Sequence, residues 1–214
     1  MDHASNPDPV LTRLREGFER IALVLRADLW SAAGTAGLNP TQAQVLALLS
    51  ARPDGLRPKE IAAHLAVSAP SMADTLAALE RKALLRRTPD PADARALIAR
   101  LTEDGLAAGR SLASAASQVG AALSQLSAVE QAGLLRAQIK LIRALQLAGA
   151  IPVQRLCVSC RHFRPNAHPG EAAAHHCDFV NAAIGDRDLR LDCGEHEEAD
   201  PAVQAATWTD FTQG

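Results

Sequence analysis

The stretch Lys59–Thr102, KEIAAHLAVSAPSMADTLAALERKALLRRTPDPADARALIARLT, decides the fold. With the preceding Pro58 in the first turn, RPKEIAAHLAV reads as a short helix. Ser68 then caps a second helix, APSMADTLAALERKALL, whose apolar face is Met72, Leu76 and Leu79. After it the texture changes. In LLRRTPDPADARALIARLT two short apolar runs flank a Pro-Asp-Pro turn, which predicts a β-hairpin with a polar tip. A short helix, a tight turn and an amphipathic helix make a helix-turn-helix, and a hairpin directly behind it makes a winged helix.

The flanking segments are helical. Upstream, Leu11, Leu14, Phe18, Ile21, Leu25 and Leu29 recur at helical spacing and predict a long first helix ending near Gly34 and Gly37. LNPTQAQVLALLS predicts another helix, with Asn39 as cap and Pro40 in the first turn. Downstream, Thr102 to Ala148 reads as two long helices divided by a Ser127/Glu130 capping box, and AGAIP ends the second. The fold class is therefore mainly α: a winged helix-turn-helix with long helices and a small C-terminal module. The expected division is 1–150 for the winged helix and its long helices, and 151–214 for the module and tail.

From Leu11 to Gln146 the chain resembles the MarR family of winged-helix repressors. The resemblance is carried by LNPTQAQVLALL, by KEIAAHLAVSAPSMADTLAALERKALLRR and by DPADARALIARLTEDG. It implies an obligate homodimer made by the first helix and the last two long helices. It also implies a recognition helix at about Ala69 to Lys82 and a wing at about Arg86 to Arg100. Arg95 matches the family's wing-tip arginine, which reaches into a minor groove, and Asp93 matches the acid that braces the wing. The residues expected on double-stranded DNA are Lys59, Ser68, Ser71, Thr75, Arg86, Arg87 and Arg95. The chain departs from the family in two places. The start of the recognition helix lacks Arg and Lys and carries Asp74, and Ala83 stands where a glycine is usual.

Bulk composition limits the alternatives. Nearly half of the 214 residues are hydrophobic, yet no run approaches a membrane span. The start, MDHASNPDPV, lacks the basic and apolar parts of a signal peptide, which predicts a cytoplasmic protein. Net charge is only −2, but it is unevenly spread. Arg52 to Arg100 holds nine Lys/Arg against six Asp/Glu, whereas Arg155 to Asp200 holds five against nine. With no tyrosine and few other aromatics, a stacking platform for single strands is not expected. No P-loop, dinucleotide fingerprint, Ser–His–Asp arrangement or carboxylate pair stands out, so an enzyme is not expected.

All four cysteines lie in the tail, at Cys157, Cys160, Cys177 and Cys193. In a reducing compartment such clustering points to a metal or to redox chemistry rather than to disulfides. A CxxC turn puts two thiolates on one centre, and two distant cysteines complete four ligands. That set suits a cubane 4Fe–4S iron–sulfur cluster, the favoured expectation, or tetrahedral zinc. The spacing, with Phe163 after the CxxC and Phe179 after the third cysteine, is similar to that of high-potential iron–sulfur proteins over about forty residues. Five of the seven histidines also fall here, and His176 and His196 are alternative ligands. A zinc site of Cys157, Cys160, Cys193 and His196 would leave Cys177 free. Leu156, Phe163, Phe179, Val180, Ile184, Leu189 and Leu191 are too few for an independent core, so the segment is expected to need its metal to fold.

The expected function is a sequence-specific transcriptional regulator, a repressor, whose four-cysteine centre senses redox state, oxygen or iron. One alternative is a winged-helix regulator with a structural zinc site and a small-molecule inducer in the dimer cleft. Another is an electron-transfer or docking module that carries a winged helix.

Overall fold

The computed structural model describes residues 8–213. The polar start Met1–Pro7 and Gly214 lie outside the described residues, and with them most of the stretch read as lacking a signal peptide. The chain opens with α1 (Pro9–Thr35), α2 (Pro40–Ser50), α3 (Pro58–His64) and α4 (Ala69–Arg81). The hairpin β1 (Leu85–Asp90) and β2 (Asp93–Leu101) follows. Next come α5 (Glu103–Ala113), α6 (Gln118–Leu123) and α7 (Ala128–Leu147). The tail holds a three-stranded antiparallel sheet of β3 (Phe163–Arg164), β4 (His175–Cys177) and β5 (Ala182–Ile184), and ends in α8 (Pro201–Gln213).

The local signals place the helix ends. Asn39 accepts from the Gln42 N–H at 2.8 Å while the Gln42 side chain reaches back to Asn39 N, so α2 starts on a reciprocal box. Ser68 caps α4, Thr102 caps α5, and Ser127 with Glu130 caps α7. The wing strands pair antiparallel, Leu85 opposite Leu101. Two turns are closed by alanine in the left-handed region: Ala66 (φ 51°) between α3 and α4, and Ala83 (φ 57°) after α4. A Cβ costs about 1–2 kcal/mol there, so Ala83 is a strained replacement for the glycine usual at a helix end.

Thr102–Ala148 forms three helices instead of the expected two. The break has a tertiary cause. Ser117 caps α6 through Gly120 N, and its hydroxyl also donates to the Asp28 carboxylate of α1 at 2.8 Å. The helix α8 has no counterpart among the elements expected from the sequence.

Among the described residues two separate apolar cores result. The first packs Ala33, Val45, Leu46, Leu49, Ile61, Met72, Leu76, Leu79, Leu85 and Ala99 beneath the helix-turn-helix and wing. The second joins Ile139 of α7 to Leu156, Val158, Phe163 and Leu189 of the tail and to Phe211 of α8. The tail's few apolar residues are thus supplemented from both sides. The Arg136 guanidinium stacks 4.2 Å over the Phe211 ring and donates to Asp186, and Arg143 stacks 4.4 Å over Trp208. By contrast, Leu11, Leu14, Phe18, Ile21 and Leu25 of α1 are exposed, as are Leu141, Leu145 and Leu147 of α7.

Candidate functional site

The helix-turn-helix presents a polar edge. Ser68, Ser71 and Asp74 are exposed at the start of α4, and Lys59 is exposed at the start of α3. The Ser68 and Ser71 hydroxyls are 2.9 Å apart, and the half-buried Thr75 donates its hydroxyl to Ser71 O at 2.8 Å. On the wing Arg86 and Arg95 are exposed.

Arg87 differs from the surface cation expected of it. Its guanidinium meets Glu80 of α4 at 2.5 Å and its backbone N–H donates to the same carboxylate. The hydrogen-bonded guanidinium pulls Glu80 below the usual carboxylate range. Arg87 therefore ties β1 to α4 and has little charge left for a ligand.

Sequence reasoning also missed the acid that holds the wing turn. Asp93 only accepts from the N–H of Arg95, at 3.1 Å. Asp90 does the bracing. One of its oxygens accepts from Ala92 N at 2.8 Å and the other from Arg57 Nε at 2.7 Å, which docks the wing turn on the start of α3. Those two contacts, the backbone N–H first, lower the Asp90 pKa.

In the tail the four cysteines come together. Cys157 and Cys160 bracket a single helical turn, closed by the Cys160 N–H on Cys157 O at 2.9 Å. Cys177 ends β4, opposite Phe163 of β3. Cys193 is placed by its N–H on Arg155 O at 3.0 Å. All four thiols are free and line one cavity of about 360 Å³, walled by Phe163, Phe179, Val180 and Ile184. Burial pushes the Cys157 thiol up to about 11, against a hydrogen bond from Arg190 N to its sulfur at 3.2 Å. Yet among the described residues no three or more His, Cys, Asp or Glu approach closely enough to hold one ion.

The two alternative histidine ligands face elsewhere. His196 bonds Ser159 Oγ at 2.9 Å, and His176 faces His168 at 3.2 Å; neither lines the cavity. His175 is buried and bridges Asn166 N and Asp186. Of the histidines among the described residues, only His162 reaches the cavity wall, where it bonds Glu197 and packs edge-on to Phe179.

A further cluster joins tail and winged helix. The Asp192 carboxylate receives both guanidinium nitrogens of Arg52, at 2.6 and 3.0 Å, and Arg155 Nε at 2.6 Å. The same arginines donate to carbonyls at the end of α2, Arg52 to Leu48 O and Arg155 to Ala51 O. His64, at the end of α3, has its pKa lowered by burial and then by Arg52. No sequence signal links Arg52 to a carboxylate 140 residues away.

A helix-turn-helix closed by a two-stranded wing defines a winged-helix protein. Residues 36–96 match the MarR family, a family of transcription regulators rather than enzymes. Among solved structures the chain is similar to a mutant of MepR from a multidrug-resistant S. aureus clinical isolate. The two share 27% identity at a TM-score of 0.50, over 62% of this chain and 97% of that one. It is similar too to the S. aureus MepR–DNA complex, with 25% identity, a TM-score of 0.51 and coverage of 61% and 97%. YusO of Bacillus subtilis matches at 23% identity and a TM-score of 0.47, over 65% and 99%. These relatives are covered almost end to end and leave over a third of this chain unmatched; the family match itself ends before the first cysteine. No protein of curated function matches the chain. Among the described residues no single helix is long and apolar enough to cross a membrane.

Proposed function

We propose that the chain is a DNA-binding transcriptional repressor that acts as a two-fold homodimer, with a four-cysteine iron–sulfur centre in its tail that senses redox state, oxygen or iron. DNA binding rests on the polar edge of α4 beside a braced wing with Arg95 exposed near its tip. The solved MepR–DNA complex, which has the same fold, supports the assignment. Arg95 enters a minor groove and Ser68 and Ser71 face bases or phosphates. Lys59 and Arg86 add phosphate contacts; Arg87 positions the wing. The apolar residues left exposed along α1 and α7 support the dimer, since apolar side chains lined up along an exposed helix face mark an interaction surface. A dimer sets two recognition helices about 34 Å apart, one turn of DNA.

The single observation that carries the centre is the convergence of all four thiols on one apolar cavity, with the alternative ligands His176 and His196 turned away from it. Zinc bound by thiolates at about 2.3 Å would need the sulfurs tightly grouped. Four cysteines lining one cavity match the ligand count that a cubane cluster would need. Cys157, Cys160, Cys177 and Cys193 would hold it, and it would supply a group whose charge and survival depend on redox conditions. A small-molecule inducer has a candidate place as well: a cavity of about 170 Å³ between α1, α2 and α5, lined by Leu29, Ala43, Ala47 and Leu112 with Asp28 at its edge.

The test pairs two measurements. Anaerobic purification with iron and acid-labile sulfide analysis should give about four of each per chain; one zinc per chain and no sulfide would overturn the cluster. Duplexes selected by the protein from a randomised pool should be near-palindromic. Arg95→Ala should weaken binding to them and lower the salt slope by about one. Unchanged affinity at every salt concentration would overturn the wing assignment.

A further inference from the structure

We infer that Asp192 couples the state of the four-cysteine centre to the helix-turn-helix, by holding Arg52 and Arg155 on the end of α2 only while Cys193 is fixed. The inference rests on the reading of the cysteines as a metal centre.

Asp192 immediately precedes Cys193, and Arg155 lies two residues before Cys157. The Cys193 N–H donates to Arg155 O, so the two segments carrying these side chains are already paired. Bonds from Cys157 and Cys193 to a common group would fix that pairing. The Asp192 carboxylate then stands between the guanidinium groups of Arg52 and Arg155. Arg52 is 7% exposed, and Asp192 is the one carboxylate it contacts among the described ion pairs. A buried guanidinium stripped of its anion is strongly destabilised, so movement of Asp192 forces Arg52 to move too.

The end of α2 would feel that movement directly. The last carbonyls of a helix have no partner within it and form its negative pole. Here Leu48 O and Ala51 O are satisfied by Arg52 and Arg155. Beyond Arg52 the chain turns through Gly55, whose N–H donates to Arg52 O at 2.8 Å. That glycine has φ +75°, and a Cβ on it would lie 2.3 Å from Ala99 O of β2. Leu56 then pairs with Ala99, and Arg57 holds Asp90 at the wing turn. The elements that meet DNA are thus attached one after another to the residue that Asp192 anchors. An ordinary brace would stabilise the chain equally with the centre loaded or stripped. A coupling residue must act differently in the two states.

Hydrogen exchange on the full chain separates these cases. Wild-type, Asp192→Asn and Asp178→Asn proteins are stripped with chelator, then loaded anaerobically with ferrous iron and sulfide, or with zinc, and bound metal is measured. Asp178→Asn is the control: Asp178 also neighbours a cysteine, but its ion pair is with Arg164 inside the module. Loading should slow exchange across residues 46–64 by about tenfold in wild type and in Asp178→Asn. In Asp192→Asn the same metal should bind without that slowing. Arg155→Gln, a milder cut at a more exposed arginine, should show an intermediate difference and serves if Asp192→Asn does not fold. Metal uptake with no change in wild-type exchange overturns the coupling alone. A full loading difference retained in Asp192→Asn removes Asp192 from the route. A wild type that takes up neither iron nor zinc overturns the metal-centre reading, and the coupling with it.

Discussion

The winged helix and the cysteine module are built on opposite plans. The winged helix draws its core from one continuous stretch, Ala33 to Ala99, in which each helix buries its own apolar stripe. The module draws its core from three places: Ile139 in α7, a few residues around the cysteines, and Phe211 at the far end of α8. One of its cavities is lined by all four thiols instead of being filled by side chains. The first is stabilised by packing within itself. The second depends on neighbours and, if the thiols hold a cluster, on a bound group. Sensitivity to conditions belongs in the second kind, because a region with little packing of its own has the smallest free energy of opening.

The sharpest way to break the contrast is to remove one buried side chain from each core. Phe211→Ala should cost about 3–5 kcal/mol, and limited proteolysis should then cut the module while the winged helix survives. Leu46→Ala, at about 2–5 kcal/mol, should lower the cooperative melting of the whole winged helix. If Phe211→Ala melts both together, the two cores are one folding unit. If the thiols hold metal, stripping it comes next in size: protease sensitivity should rise within 151–200 and stay unchanged within 40–100. Equal change in both would erase the distinction. Ala83→Gly acts in the other direction. Relief of a left-handed alanine (φ 57°) should stabilise the winged helix by about 1 kcal/mol, read as a higher Tm; no rise would mean that the turn relaxes at no cost. The smallest effect concerns pH. Arg87 depresses the Glu80 carboxyl, so the stabilisation it gives is complete above the ordinary value of about 4.3 and is lost as pH falls through the depressed one. Glu80→Gln should flatten that part of the acid melting profile by a few tenths of a kcal/mol, since the pair is partly exposed. A profile identical to wild type would dismiss the pair.

What the sequence revealed divides along the same line. Asn39, Ser68 and the Ser127/Glu130 box are local signals, readable because a cap and its helix are neighbours in the chain. The hairpin around Pro-Asp-Pro and the four-cysteine cluster were equally legible. The break at Ser117 was hidden because its cause, Asp28, lies on another helix. The role of Arg87 was missed because a cation seven residues from Glu80, across a helix-to-strand turn, has no periodicity to betray it. Asp90 was read only as a turn residue, since its partner Arg57 stands 33 positions earlier. The shared core of α7, tail and α8 has no signature in any one segment.

That shared core also settles what could be cut out and transplanted. A graft of residues 151–213 onto a foreign protein would arrive with its apolar cluster open on the side where Ile139 closes it here. Arg136 and Arg143, which stack on Phe211 and Trp208, would be left behind in the donor. The portable unit is 128–213, with α7 as its floor. Because α7 also carries an exposed apolar face, a host that accepted the cysteines would acquire a new self-association surface along with them.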